Sequence, residues 1–403
     1  MLIRKLERDD LEQLIELMNI CFGKSVDPRD AGVHFQSDDY WREVWGVVLD
    51  NRLVAAIVSH FCSTNVRCRA VRSLFILQLA TIPSFRKRGL ASELLTYSMR
   101  RCRDKGVPLI LLEPFDASFF RRFGFENVFN SLELEIPVKV LRGASSGSIK
   151  ITEGSILHNA QLKALTFEYF DRKMKHSRFN ESRVPEVFSN RRHASSNKQV
   201  AIARNSEGEP IGIIIFRQEG RTIIVELIMF DSLEALEALS NCLQRFSTQV
   251  DTVRIPGAEE DFPFEHIMKR STVPEEAITV RQSKPIMGRI IDTDRLLNTI
   301  KPVAVDEGLC VAVADSMIKE NSGTYLLSSD GTARTRLRPD ISMKQSDLCL
   351  LATGSMSAIE LFREKRLRVH SDRSTSWIQT AIPSAVKKLD TFFPRIPTGW
   401  HYL

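Results

Sequence analysis

Short apolar runs and amphipathic stretches alternate along the whole chain. Residues 2–6 read as a brief strand. Asp9 or Asp10 can cap a helix over about 10–22, with Leu11, Leu14, Ile15, Met18 and Phe22 on one apolar stripe. Strands follow near 44–49 and 53–64, joined at Asp50-Asn51-Arg52, and Leu74 to Ile82 is a further run of strand length. Helical periodicity covers roughly 89–104 and stops at Gly106, a residue suited to a C-terminal cap. Leu109 to Leu112 read as a buried strand, 115–122 as a short helix and 131–141 as an alternating strand. Strands and helices in this order predict an α/β domain on a mixed sheet.

The stretch 141–150, LRGASSGSIK, is small and polar and reads as a linker. Beyond it come a helix over about 158–173, strands near 199–204, 211–217 and 222–229, a helix over 232–246 and a strand at 252–255. This repeats the later order of the first segment without its sequence. Polar residues with Pro274 and Pro285 mark a second boundary around 271–285. The last segment opens with strand-like 287–293 and a helix over 294–300. Strands near 309–316, 323–328 and 332–338 follow, then helices near 356–363 and 374–388. Three domains are expected, 1–143, 144–283 and 284–403, each large enough for its own core.

Composition narrows the class. Of 403 residues, 43% are hydrophobic and 26% charged, as in an ordinary globular chain, which excludes disordered and collagen-like proteins. No apolar run reaches 18 residues, so no membrane helix is expected. The opening MLIRKLERDDLEQL lacks the apolar core of a secretory signal. Seven cysteines without CxxC spacing point to reduced thiols in a cytoplasmic setting and to no metal site. The net charge of +6 is concentrated. Between residues 86 and 122, nine basic side chains (Arg86, Lys87, Arg88, Arg100, Arg101, Arg103, Lys105, Arg121 and Arg122) face four acids. Such a field suits a compact polyanion such as a nucleotide phosphate. Nucleic acid fits less well, because the rest of the chain is near neutral.

The segment Leu77 to Ser92, LQLATIPSFRKRGLAS, carries the clearest chemistry. A strand ends, the chain turns through Pro83, and a helix starts at a basic loop containing glycine. The free amides of a helix's first turn lie at the positive end of its dipole and can cradle a diphosphate. Gly89 and Ala91 leave the backbone open to close approach, and Arg86 and Arg88 add charge. The pattern Arg-x-x-Gly-x-Gly/Ala is weak alone, and its strand-turn-helix setting strengthens it. The plainer alternative is a glycine in an ordinary crossover with exposed arginines.

Arg86-Lys-Arg-Gly89-Leu-Ala91 resembles the acetyl-coenzyme A loop of the GNAT N-acetyltransferase superfamily. Phe119-Phe120-Arg-Arg-Phe-Gly124-Phe125 is similar to the GNAT signature Tyr-x-x-x-Gly-Phe/Tyr. The whole chain resembles the enhanced intracellular survival (Eis) type, carried at its C-terminal end by 287–297, 346–369 and FFPRIPTGWHYL. The resemblance implies two tandem GNAT-type mixed-sheet domains, the second degenerate, followed by a sterol carrier protein-like α+β domain. It implies an acetyl-CoA-dependent transferase acting on a small-molecule primary amine, of aminoglycoside, polyamine or lysine type, and a homohexamer. Leu79, Ala80 and Thr81 would bind acetyl-CoA through strand backbone groups, and Lys87, Arg88, Gly89, Leu90, Ala91 and Ser92 would hold the diphosphate. Phe120 and Arg121 would lie against the pantetheine arm. In the second domain the turn Phe230-Asp231-Ser232 places an acid where phosphates would sit, so no second acetyl-CoA is expected there.

Acyl transfer to an amine needs a polarised carbonyl, a deprotonated amine and a tolerated thiolate. The strand before the loop offers only Gln78 where many GNAT enzymes place a glutamate. By resemblance the base is the C-terminal carboxylate, here Leu403, where the family usually ends in Phe. A terminal carboxyl near 3.5 against an alkylammonium near 10.4 leaves roughly 9 kcal/mol uphill, which desolvation must narrow. The family's proton-donating Tyr is replaced by Phe125, and the other GNAT tyrosine position is Phe120. Neither ring can donate a proton. Two readings stay open: an active enzyme whose thiolate leaves unaided, and an acetyl-CoA binder with impaired turnover. A lipid carrier acting through the last domain is a third. Trp41 and Trp45 with Asp38, Asp39 and Glu43 could wall the pocket for a cationic amine, or form an ordinary surface. His34, His60, His176 and His193 are isolated, and the tract Arg363 to Arg368 reads as a solvated helix end.

Overall fold

The computed structural model describes residues 2–23, 43–67, 69–130, 132–142, 149–155, 159–176, 198–258, 262–268, 278–283, 285–303, 308–370 and 382–395. They form two compact units, one of Met1–Val128 with Ile286–Ile396, the other centred on Phe129–Pro285. Among the described residues no helix is long and apolar enough to cross a membrane.

The first unit contains β1 (Leu2–Lys5), β2 (Glu43–Leu49), β3 (Arg52–Val66), β4 (Arg69–Thr81), β5 (Leu109–Leu112) and β6 (Glu126–Phe129) in one sheet. Its seventh strand comes from far along the chain: β14 (Ile286–Ile290), numbered by chain position, stands between β5 and β6. The run expected at 287–293 is thus a strand, but it completes the first sheet, with Met287 opposite Leu112 and Ile290 opposite Leu109. Asp50 and Asn51, both at positive φ, turn β2 into β3 as the two left-handed positions of a hairpin. Helices α1 (Leu11–Phe22) and α2 (Leu90–Asp104) bury Leu14, Leu17 and Met18, and Leu94, Leu95 and Met99, in the core on this sheet. A short α3 (Ala117–Arg121) follows β5.

The same unit holds a five-stranded sheet of β15 (Leu309–Ala314), β16 (Gly323–Ser328), β17 (Gly331–Thr335), β18 (Ile341–Lys344) and β19 (Arg368–Val369), ordered β17-β16-β15-β18-β19. Helices α6 (Thr293–Ile300), α7 (Gln345–Thr353), α8 (Ala358–Arg363) and α9 (Ser384–Phe392) accompany it. Of the helix expected over 374–388, residues 374–381 lie outside the described residues, and α9 begins just after Pro383. Polar links join the two parts of the unit. Arg289 of β14, 1% exposed, donates to both Asp315 oxygens (2.9 and 3.0 Å) and to Gln345 Oε1 (2.9 Å). Gly124 makes room for it: a Cβ there would stand 2.0 Å from Arg289 Nη1. Arg67, at the tip of the β3–β4 hairpin, caps the C-terminal carbonyls of α7, donating to Leu351 O (2.6 Å) and Ala352 O (2.9 Å). Burial lowers its pKa to about 10. Arg366, expected on a solvated helix end, instead bridges Asp347 (2.6 Å) and Glu126 (3.0 Å).

The second unit is one sheet, ordered β8-β9-β10-β11-β12-β7-β13: β7 (Leu132–Pro137), β8 (Lys150–Ser155), β9 (Gln199–Arg204), β10 (Pro210–Glu219), β11 (Thr222–Phe230), β12 (Thr252–Ala258) and β13 (Thr279–Gln282). Helices α4 (Ala160–His176) and α5 (Leu233–Gln244) belong to it. Three elements differ from expectation. The strand foreseen at 131–141 closes this sheet rather than the first, β8 starts where a linker was read, and β13 falls in the polar stretch 271–285. Each is short, and β8 and β13 are largely solvated edge strands, so neither carries a strong apolar signal.

Candidate active site

The site is built on the C-terminal half of β4. Val58 of β3 stands opposite Gln78 and Ser59 opposite Ile76, so Leu77 is an extra residue, a β-bulge. On the other side, the parallel pairing with β5 ends at Ile76 opposite Leu112. Leu77 to Thr81 therefore keep β3 as a neighbour, while among the described residues no strand pairs their second edge. Leu77, Gln78, Leu79 and Thr81 are half-buried and Ala80 is buried. A strand edge of this kind presents backbone donors and acceptors to an extended ligand. The Thr81 hydroxyl is buried there without a hydrogen-bond partner.

The chain then makes a 3-10 turn over Pro83–Phe85 and an exposed loop, Arg86 to Gly89. Arg86 Nε donates to the Thr81 carbonyl (3.1 Å), and the Arg88 guanidinium lies 5.0 Å from the Phe85 ring centre. Both arginines are thus held locally. Lys87, at φ +60°, occupies a left-handed position that only glycine adopts freely. Gly89 follows at φ +84° and precedes α2 without any side-chain cap, so the amides of Leu90, Ala91 and Ser92 stay available. A Cβ on Gly89 would meet nothing within 4 Å. Glycine is required here by backbone conformation, and the space before the amides is open. Left-handed turns that gather successive N–H groups make anion-binding concavities.

Beyond β5, Asp116 caps α3 by accepting from the Ser118 amide (2.8 Å). Phe120 and Phe125, 2% and 1% exposed, pack edge to face at 5.9 Å within the core of the first unit. Phe115, Phe119 and Phe123 extend the cluster. Neither signature position offers a hydroxyl. Arg121 is half exposed and paired with Glu126 (3.2 Å).

Comparison with known proteins fits this geometry. Residues 2–128 and 179–290 each match a model of an acetyltransferase (GNAT) domain, and 296–397 match a sterol carrier protein domain. The chain therefore carries two GNAT acetyltransferase domains followed by a sterol carrier protein domain. Solved structures share its fold over nearly the whole length. A conserved protein of unknown function from Enterococcus faecalis V583, described as a probable N-acyltransferase, has 16% identity and a TM-score of 0.83, with 100% of this chain and 99% of that chain covered. A GCN5-related N-acetyltransferase from Anabaena variabilis has 16% identity and a TM-score of 0.81, with 98% of both chains covered. Eis1 from Mycobacterium abscessus has 19% identity and a TM-score of 0.73, with 100% and 99% covered. No curated protein matches the chain.

In this GNAT protein the remaining expected residues are unevenly placed. Leu403, together with Asp38, Asp39, Trp41, His34 and His193, lies outside the described residues. Glu43 and Trp45, which could have walled an amine pocket, serve α2 instead. The Glu43 carboxylate receives Arg101 (3.2 Å), Lys105 and Trp45 Nε1 (3.2 Å), and Arg101 lies 4.4 Å over the Trp45 ring. Burial would raise the Glu43 pKa, but those donors outweigh it and hold it below the ordinary value. A carboxylate so paired has little charge left for a cationic acceptor. Among the described residues no cluster of three or more His, Cys, Asp or Glu could hold a metal. Sequence reasoning missed the Leu77 bulge and the left-handed Lys87. The bulge has no composition signal, and lysine at positive φ contradicts its own propensity.

Proposed function

We propose that this GNAT protein transfers the acetyl group of acetyl-CoA to a primary amine by direct attack on the thioester. One observation carries the reading: β4 runs past β5 with an edge that no strand pairs among the described residues, and that edge leads to an uncapped, glycine-led helix N-terminus. Leu79, Ala80 and Thr81 would pair with the pantetheine amides as an added strand, and the orphaned Thr81 hydroxyl supplies a further polar group. The diphosphate would rest on the amides of Gly89 to Ser92, with Lys87 the cation least tied down and Arg86 and Arg88 adding field. Phe120 and Arg121 would stand behind the arm. We also keep the division into domains 1–143, 144–283 and 284–403 as a proposal.

In the reaction the amine nitrogen forms a bond to the acetyl carbon and the carbon–sulfur bond breaks. The amine's proton goes to a base, which we assign to the Leu403 carboxylate. The fully buried, donor-free Phe120 and Phe125 favour departure as a free thiolate, at some loss of rate. They equally support a second reading, acetyl-CoA binding with impaired turnover. The deciding experiment is calorimetric titration with acetyl-CoA alongside thiol release against a panel of aminoglycosides, polyamines and lysine peptides. The expected result is binding plus thiol release with at least one amine, abolished by deleting Leu403 without change in melting temperature. Binding with no thiol release establishes the second reading, and absence of binding refutes both.

A further inference from the structure

The most exposed large apolar side chain among the described residues is Phe115, at 63%. It lies between the end of β5 and Asp116, the cap of α3, so its backbone is anchored on both sides. Its ring sits 5.5 Å from Phe119 and 5.1 Å from Phe120, resting on a fixed aromatic cluster with its remaining surface in solvent. β4 and β5 are parallel, so the turns that carry Gly89 and Phe115 leave the same end of the sheet. β4 continues about 16 Å beyond the Ile76–Leu112 pair, at the usual rise per strand residue. Phe115 reaches at most about 10 Å beyond it. The ring and the Gly89 turn thus both follow the C-terminal ends of neighbouring parallel strands.

Resting on the acetyl-CoA reading above, we propose that Phe115 is the stacking platform for the adenine ring of coenzyme A. Past the diphosphate, the adenosine leaves the Gly89 turn at the end of the sheet that also carries Phe115. The Arg122 guanidinium, 5.1 Å from the Phe119 ring centre, adds positive charge to the same aromatic cluster, which suits a nucleotide carrying a 3′-phosphate. Every base has a π face, and stacking on a pre-positioned ring adds about five- to a hundredfold in affinity.

The test compares two probes by calorimetry: coenzyme A, and 4′-phosphopantetheine, which keeps the arm and lacks the adenosine. In Phe115→Ala, coenzyme A is expected to bind about tenfold more weakly while 4′-phosphopantetheine binds as before. Phe115→Trp should restore coenzyme A affinity. The side chain is exposed, so an unchanged melting curve is expected for both variants and checks their folding. Equal losses on both probes make Phe115 a wall for the pantetheine arm and overturn the proposal, as does an unchanged coenzyme A affinity. Wild-type protein that binds neither probe overturns the acetyl-CoA reading itself.

Discussion

The two seven-stranded sheets follow one plan and differ in how they are finished. In each, an extra residue bulges the fourth strand, Leu77 in β4 and Glu226 in β11. In each, that strand then runs on past its parallel neighbour: β4 pairs with β5 only as far as Ile76, and β11 with β12 only over Thr222 to Ile224. In each, the sixth position is filled by a strand from elsewhere in the chain, β14 in one and β7 in the other. The turns after the bulged strands diverge. The first ends in uncapped amides behind Gly89, among cations. The second is closed by its own side chains. Ser232 Oγ accepts from the Ala235 amide (3.2 Å), Asp231 receives the Tyr169 hydroxyl (3.3 Å), and Glu234 adds a second acid to the first turn. Even the bulge is occupied, since Glu226 pairs with Lys198 (2.7 Å) and Arg217 (2.8 Å). Strands that part company are therefore a property of the fold, whereas the proposed anion cradle is a property of a few turn residues.

The two borrowed strands are also held differently, and this gives the largest expected effect. Arg289 ties β14 to Asp315 in a dry site, whereas β7 is joined to its neighbours through exposed pairs such as Arg254–Glu133 (2.6 Å). Arg289→Ala leaves the Asp315 carboxylate buried without its partner, at a cost of about 3–5 kcal/mol. Arg254→Ala should cost about 1 kcal/mol or less. Urea denaturation of both variants measures the gap. In the wild type, burial pushes the Asp315 pKa up, but Arg289, Asn321 and the Ile318 and Met317 amides outweigh it and hold it below the usual range. A depressed carboxyl stabilises the fold above its unfolded pKa and loses that contribution as pH falls through its folded value. Without Arg289 burial is less opposed, so the carboxyl protonates at higher pH. The Arg289→Ala deficit should then shrink as pH falls from neutral through the variant's raised carboxyl pKa. A deficit that stays constant would mean that lost packing, not the ion pair, holds β14.

These differences were only partly visible in the sequence. The strand-turn-helix around Gly89 was legible because apolar periodicity, Pro83 and the basic loop agree at one place. The strand 222–230 and the helix starting at 233 were legible for the same reason, as was the acid in the turn between them. The strand exchange was not. Residues 132–137 alternate as a strand and 286–290 are strand-like, but a strand's pattern does not name its sheet. Gly124 was read as part of a signature motif, and its partner across the fold, Arg289, is distant in sequence. The roles of Glu43 and Arg366 failed for a related reason: whether a charge is free or paired depends on neighbours that only folding supplies.

If the turn alone separates the two sheets, importing an acid into the first should silence it. Gly89→Asp places a carboxylate facing the proposed diphosphate and asks a residue with a Cβ to hold φ +84°. The backbone term is about 1–2 kcal/mol and charge repulsion adds a similar amount, together about a hundredfold in acetyl-CoA affinity. Gly89→Ala, which carries only the backbone term, should lose about five- to tenfold. The loop is exposed, so little change in melting temperature is expected in either. Calorimetric titration separates the two contributions. Undiminished binding in Gly89→Asp would mean that the cradle lies elsewhere.

The smallest effect comes from the reverse change in the second sheet. Ser232→Ala removes the cap of α5 and frees the Ala235 amide, which should cost about 1 kcal/mol in urea denaturation. It should not create a second cradle. Asp231 and Glu234 remain, and Ser232 keeps extended backbone (φ −147°) where Gly89 is left-handed. Acetyl-CoA stoichiometry should therefore stay at a single site per chain. A second binding event in this variant would show that the serine cap alone silences the turn, and the left-handed glycine would then lose its place as the feature that distinguishes the two sheets.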